Sequence, residues 1–166
     1  MLEKFIETIM GIEDYDRRAE ALIKKSLHLY KTGKTIDTIR ALQLYNYIRK
    51  KYGCDIFPGV TIGKNLYIAH AQSILVGKTT IIGDNCKIYP NVYIIAALKD
   101  DDYRFNMKIR RHPKIGNNCI IGCGAKLIGA IKIGNNVTIA AGAIVTKDVP
   151  DNTLVKCINI QQKKGL

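Results

Sequence analysis

No run in the 166-residue chain approaches the roughly eighteen consecutive apolar residues that a membrane-crossing helix requires, so a membrane span is not expected. The opening Met1-Leu2-Glu3-Lys4 lacks the basic-then-apolar layout of a secretory leader, and the expected location is the cytoplasm. Cys-x-x-Cys pairs are missing. The five cysteines (Cys54, Cys86, Cys119, Cys123, Cys157) are odd in number, which argues against both a disulfide framework and a zinc ribbon and leaves free core thiols as the expectation. Acidic residues are few, 14 against 26 basic ones, and the net charge of +12 asks for an anionic partner: nucleic acid, a membrane surface, or a phosphorylated cofactor or substrate. The basic residues are scattered, with short clusters only at Arg49-Lys50-Lys51 and Arg110-Arg111. No nucleic-acid module signature accompanies them, so a nucleic-acid partner is not expected.

What is present suits a folded protein: 47% apolar and 24% charged residues, in a chain long enough for one domain with a small extension. Over the first fifty or so residues the apolar positions follow helical spacing, in Ala19, Leu22, Ile23, Leu27 and Tyr30 and again in Ile36, Ile39, Leu42, Tyr45 and Ile48. Gly33 is expected to end the first helix in a left-handed turn, Thr35 to N-cap the second, and Gly53 to close the helical part.

From Ile56 onward the period becomes six. Aliphatic residues fall at Ile56, Ile62 and Ile68, at Val76, Ile82, Ile88 and Ile94, and at Ile115, Ile121, Leu127, Ile133, Ile139 and Val145, thirteen positions in all. A small or β-branched residue usually stands two before each, as at Val60, Thr80, Val92, Ala125, Val137 and Ala143, and Gly often follows. Each hexad then supplies a short strand with one inward aliphatic side chain and a corner where Gly or Asn can turn tightly. Three hexads complete a triangular coil, and stacked coils pair backbone to backbone about 4.8 Å apart, burying a face that one coil could not. The period does not fix the hand of such a coil, and the general crossover rule favours a right-handed one.

Two interruptions break the register: a two-residue slip between Ile68 and Val76, and about twenty residues between Ile94 and Ile115. Breaks in a solenoid commonly become functional loops. Of three histidines, His70 and His112 sit at these breaks, while His28 lies in the helical segment. A turn histidine is otherwise ordinarily a solvated one, and Asp55 taken alone reads as an ordinary turn aspartate.

The blocks Asp55-Ile56-Phe57-Pro58-Gly59-Val60-Thr61-Ile62-Gly63, Ile68-Ala69-His70-Ala71, Val76-Gly77-Lys78-Thr79, Arg111-His112-Pro113-Lys114-Ile115-Gly116, Ile121-Gly122-Cys123-Gly124-Ala125-Lys126 and Ala141-Gly142-Ala143-Ile144-Val145-Thr146-Lys147-Asp148-Val149-Pro150 resemble successive blocks of the serine acetyltransferases. The resemblance covers roughly residues 53 to 153 and implies a mainly β fold, a left-handed parallel β-helix with a short helical segment before it. The expected division is helices over 1–53, β-helix over 54–155 with a loop at about 95–114, and a tail over 156–166.

Carried over by position, the resemblance implies that His70 is the general base and that Asp55, fifteen residues earlier, is the carboxylate orienting it. It implies that Arg111 and His112 bind substrate or the developing oxyanion. It also implies that Gly122, Cys123, Gly124, Ala141 and Gly142 line an acetyl-CoA groove between protomers of a homotrimer, with the alternative that they are only corner residues. Lys126, Lys147 and Lys156 are candidates for the cofactor phosphates, or a solvated basic face. No metal is expected, since a zinc site of three histidines cannot be built from the two in the repeats, and Cys123 has no base of its own to make it a nucleophile.

The chain departs from the family pattern at Ala69, where an Asp normally precedes the histidine, and at Phe57, which replaces a His. It also carries Lys99-Asp100-Asp101-Asp102-Tyr103-Arg104 in place of a glycine-rich loop. The expected activity is acetyl transfer from acetyl-CoA to the hydroxyl of serine or of a sugar or polysaccharide unit. The alternative is a non-catalytic trimeric scaffold or binding module.

Overall fold

The structure is a computed structural model that describes residues 12–97 and 112–157. Among the described residues, two antiparallel helices, α1 (Ile12–Lys31) and α2 (Thr35–Tyr52), precede fourteen strands of two or three residues. Every strand pairing is parallel, and successive strands go to successive sheets. Sheet A stacks β1 (Asp55–Ile56), β4 (Leu75–Val76), β7 (Tyr93–Ile95), β10 (Lys126–Ile128) and β13 (Ile144–Val145). Sheet B stacks β2 (Thr61–Ile62), β5 (Ile81–Ile82), β8 (Lys114–Ile115) and β11 (Lys132–Ile133), and an isolated bridge from Ile133 to Val149 continues it. Sheet C stacks β3 (Tyr67–Ile68), β6 (Lys87–Ile88), β9 (Ile120–Ile121), β12 (Thr138–Ile139) and β14 (Leu154–Val155). The result is a triangular prism whose three edges, A–B, B–C and C–A, are the corners between sheets.

The six-residue period is a packing period. Twelve of the thirteen aliphatic positions are buried, and Ile62 is partly buried against them. Val60, Thr80, Val92, Ala125, Val137 and Ala143, two residues ahead, are buried as well. Each such aliphatic side chain contributes about 1.5–3 kcal/mol by leaving water, and the stack gains this at every coil. Among the described residues, Thr80 Oγ1 is the one buried side-chain polar atom without a hydrogen-bond partner.

The helices close the first coil. Ile23, Leu27, Ile48 and Tyr52 join the same core, and Ser26 Oγ donates to the Ala41 carbonyl at 2.9 Å between the helices. Gly33 and Gly53 take left-handed φ of +68° and +63°, and the Gly53 N–H closes α2 on the Arg49 carbonyl. Two helix expectations fail. Lys34, with no side-chain bond, holds the N-cap, and Thr35 is the first helical residue because the Thr32 hydroxyl, bonded to Asp37, already occupies that end. The stripe of α2 also points differently: Ala41, Ile48 and Tyr52 are buried, whereas Ile36, Ile39 and Leu42 are exposed, because only the last half of α2 reaches the coil. Of the thiols, Cys54, Cys86 and Cys119 are buried as expected, but Cys123 and Cys157 are exposed.

Candidate active site

The C–A edge carries His70. In the regular coils this corner turns through a residue of positive φ: Asn91 at +60°, Gly124 at +70° and Gly142 at +71°. They stack through Asn91 N–H to Gln72 O, Gly124 N–H to Pro90 O, and Gly142 N–H to Cys123 O. In the first coil Ser73, at +51°, takes that place, which makes His70 and Ala71 the two extra residues of the slip. Ala69 and Ala71 fold inward and are buried, and His70 between them is pushed out, exposed, at φ +45°. Outside glycine and asparagine, a left-handed residue costs about 1–2 kcal/mol, so the bulge presents an imidazole at an energetic cost that the Asn and Gly corners of the regular coils largely avoid.

The A–B edge carries His112, directly after the long interruption. Its ring lies flat on the corner below, where a Cβ added to Gly77 would come within 2.0 Å of both Nε2 and Cδ2. Only glycine leaves that room. The Thr79 N–H donates to His112 Nδ1 at 3.3 Å, and the Thr79 hydroxyl meets the same nitrogen at 2.7 Å, while His112 N–H donates back to that hydroxyl at 3.3 Å. A backbone N–H can only donate, so Nδ1 must accept, and the proton of the neutral ring sits on Nε2. His112 is thereby set as an Nε2–H donor.

Asp55 opens β1 on sheet A, one coil beneath Leu75 and close to the bulge, with its N–H on the Ile74 carbonyl at 2.7 Å. Its carboxylate is met from the helices, by the Tyr45 hydroxyl at 2.5 Å on Oδ1 and by Arg49 Nε at 3.3 Å on Oδ2. Burial, then the hydrogen bond to Asp55 and its charge, push the Tyr45 hydroxyl up to about 12, so it remains a donor throughout the neutral range.

The remaining candidates divide between the same two edges. Gly122, Cys123 and Gly124 occupy the C–A corner of the third coil, Ala141 and Gly142 that of the fourth, and Lys156 and Cys157 follow β14 on that edge. Cys123, Ala141 and Gly142 are exposed, and a Cβ on Gly122 would meet the Ala141 nitrogen at 2.6 Å, so this edge is narrow because its coils must stack closely. Lys147 lies on the A–B edge, and Lys126 points outward from sheet A. Arg111, and most of the expected loop at about 95–114, lie outside the described residues. Within one chain His70 and His112 are therefore not neighbours: the width of sheet A separates them. Sequence reasoning did not single out Gly77, Thr79, Tyr45 and Arg49 as functional. The first two stood in the quoted block Val76-Gly77-Lys78-Thr79, but a contact across thirty-three residues leaves no local signal.

The fold and these two edges define a class, the hexapeptide-repeat left-handed β-helix proteins with histidines at breaks in the coil. The family described as "Bacterial transferase hexapeptide (six repeats)" matches residues 112–147. More narrowly, this is a serine acetyltransferase-like hexapeptide-repeat protein. It is 39% identical over 103 residues to a serine acetyltransferase of Synechococcus elongatus, covering 62% of this chain and 39% of that one. A soybean serine acetyltransferase complexed with serine superposes with a TM-score of 0.71 at 33% identity, covering 82% of this chain and 52% of that one. A serine acetyltransferase in complex with CoA gives 0.70 at 28% identity, with the same coverages of 82% and 52%. The chain spans about half the length, or less, of the proteins in these three comparisons.

Proposed function

We propose that this protein transfers the acetyl group of acetyl-CoA directly to a hydroxyl, at a site made between two copies of the chain. The observation that carries the reading is the division of the candidate residues between the two edges flanking sheet A. The outward face of that sheet is largely apolar, with Leu75, Tyr93, Ile95, Ile128 and Ile144, and Ile144 is 63% exposed. Three copies turning this face to a common axis cover it and bring the C–A edge of one against the A–B edge of the next. His70 enters the coil on whose far corner His112 rests, so the two histidines come to similar heights across that interface.

In that cleft His70 takes the proton of the acceptor hydroxyl and the Asp55 carboxylate stabilises the imidazolium. The alkoxide attacks the thioester carbonyl, and His112 Nε2–H, with Arg111, meets the oxyanion. Collapse expels the CoA thiolate, which takes the proton back from the imidazolium, so no acyl-enzyme is needed. The narrow strip of Gly122, Cys123, Gly124, Ala141 and Gly142 fits a cofactor arm held by backbone groups, and Lys156 and Lys147, one on each facing edge, supply charge for its phosphates. The acceptor is serine or a sugar or polysaccharide hydroxyl. The complex of the soybean relative supports serine, while buried Ala69 beside His70 removes an acidic contact that the family pattern would provide there.

His70→Ala is expected to abolish thiol release from acetyl-CoA while the protein stays folded and trimeric; undiminished release overturns the mechanism. A non-catalytic scaffold would show no thermal stabilisation by CoA, whereas a ligand at one hundred times its Kd adds about 2.7 kcal/mol. An acceptor screen of L-serine against sugars and oligosaccharides decides the substrate.

A further inference from the structure

The acetyl-transfer reading uses Asp55 but leaves unexplained why helix α2 grips it. Tyr45 and Arg49 stand one helical turn apart and meet the two oxygens of the same carboxylate, at 2.5 and 3.3 Å. Neither is loosely placed. The Tyr45 ring lies edge-on to Phe57 with centroids 5.7 Å apart, Phe57 is itself edge-on to Tyr30 at 5.8 Å, and the Arg49 guanidinium sits 5.3 Å from the Tyr45 ring centre. On the next turns Ile48 and Tyr52 are buried in the common core and Gly53 caps the helix, so α2 is fixed against the coil without any help from Asp55. A half-exposed ion pair contributes only about 0–1 kcal/mol, which makes a purely stabilising role for Arg49 small. The Asp55 side chain remains 37% exposed, and each carboxylate oxygen has a second lone pair, so the carboxylate can still serve a further donor.

We propose that Tyr45 and Arg49 are positioning residues of the transfer reaction: they hold the Asp55 carboxylate in one rotamer, so that it can orient the imidazole of His70. The proposal rests on the acetyl-transfer reading and adds to it a contribution from the helices, which otherwise only close the coil stack. Tyr45 acts as a neutral donor and Arg49 as a cation, and the aromatic packing of Tyr45 against Phe57 sets the direction of its hydroxyl.

The test is a double-mutant cycle on steady-state acetyl transfer. Tyr45→Phe keeps the ring packing and removes only the hydroxyl. It is expected to lower kcat about tenfold with KM for acetyl-CoA unchanged, and to cost nothing further in an Asp55→Asn background, because residues acting through one group are not additive. Arg49→Gln is expected to lower kcat about threefold, with Arg49→Lys restoring part of the loss, and it carries the same test should Tyr45→Phe not fold. Wild-type kcat in both Tyr45→Phe and Arg49→Gln, or an undiminished loss on top of Asp55→Asn, overturns the proposal. Absence of thiol release in the wild type, or a wild-type rate in Asp55→Asn, overturns the acetyl-transfer reading itself.

Discussion

Along the B–C edge every coil turns on an asparagine. Asn65, Asn85, Asn118, Asn136 and Asn152 share φ values between +54° and +57°, and their side-chain amides pass hydrogen bonds from coil to coil at 2.9–3.1 Å. A second ladder runs beside it, in which Asp84, Asn117, Asn135 and Asp151 accept from the backbone N–H of the coil before. The C–A edge turns differently, on Ser73, Asn91, Gly124 and Gly142, and it carries the inserted His70. On the proposed reading, this difference is how a solenoid acquires a site. Where the repeat is kept, each corner satisfies the polar groups of its neighbour and offers little to a ligand. Where the repeat is broken or pared down to glycine and alanine, backbone and the His70 imidazole face outward.

Substitutions where the repeat is kept, on the ladder edge, and where it is broken, at the A–B corner on which His112 rests, test the contrast. The largest expected effect is that of Gly77→Ala, whose methyl would collide with the His112 ring. It should lower kcat by about a hundredfold, as a displacement of about 1 Å does at a reacting centre, while the melting temperature changes little. Next comes Asn118→Ala on the ladder edge, which loses the bonds to Asn85 and Asn136 and forces alanine into a left-handed turn. A loss of about 2 kcal/mol in unfolding free energy is expected, with kcat unchanged. If that variant lost activity at full stability, the division into a structural and a functional edge would fail. The smallest effect is that of Thr80→Val, which replaces a buried hydroxyl lacking a partner with a methyl of the same shape; a gain of about 1 kcal/mol in chemical denaturation is expected, with no kinetic change.

Much of this architecture is legible in the chain because the six-residue period and the core are the same physical fact. Ile68, Val76 and Ile82 are recognisable by spacing, and the structure buries them. The slip between Ile68 and Val76 marked the bulge because two extra residues must leave a coil of fixed circumference, and His70 is one of them. The direction of α2 was not legible, since Ile36, Ile39 and Leu42 fit an inward stripe until the coil's position is known. The same holds for the fixed tautomer of His112, set by a threonine thirty-three residues away, and for the grip of Tyr45 on Asp55, which depends on how the helices dock.

Mixing two inactive variants decides whether a working site takes His70 from one copy and His112 from another. His70→Ala and His112→Ala, co-refolded in equal amounts, should regain roughly a quarter of wild-type thiol release, the fraction of interfaces that random assortment in a closed trimer leaves with both histidines. A mixture as inactive as either variant alone would contradict the account.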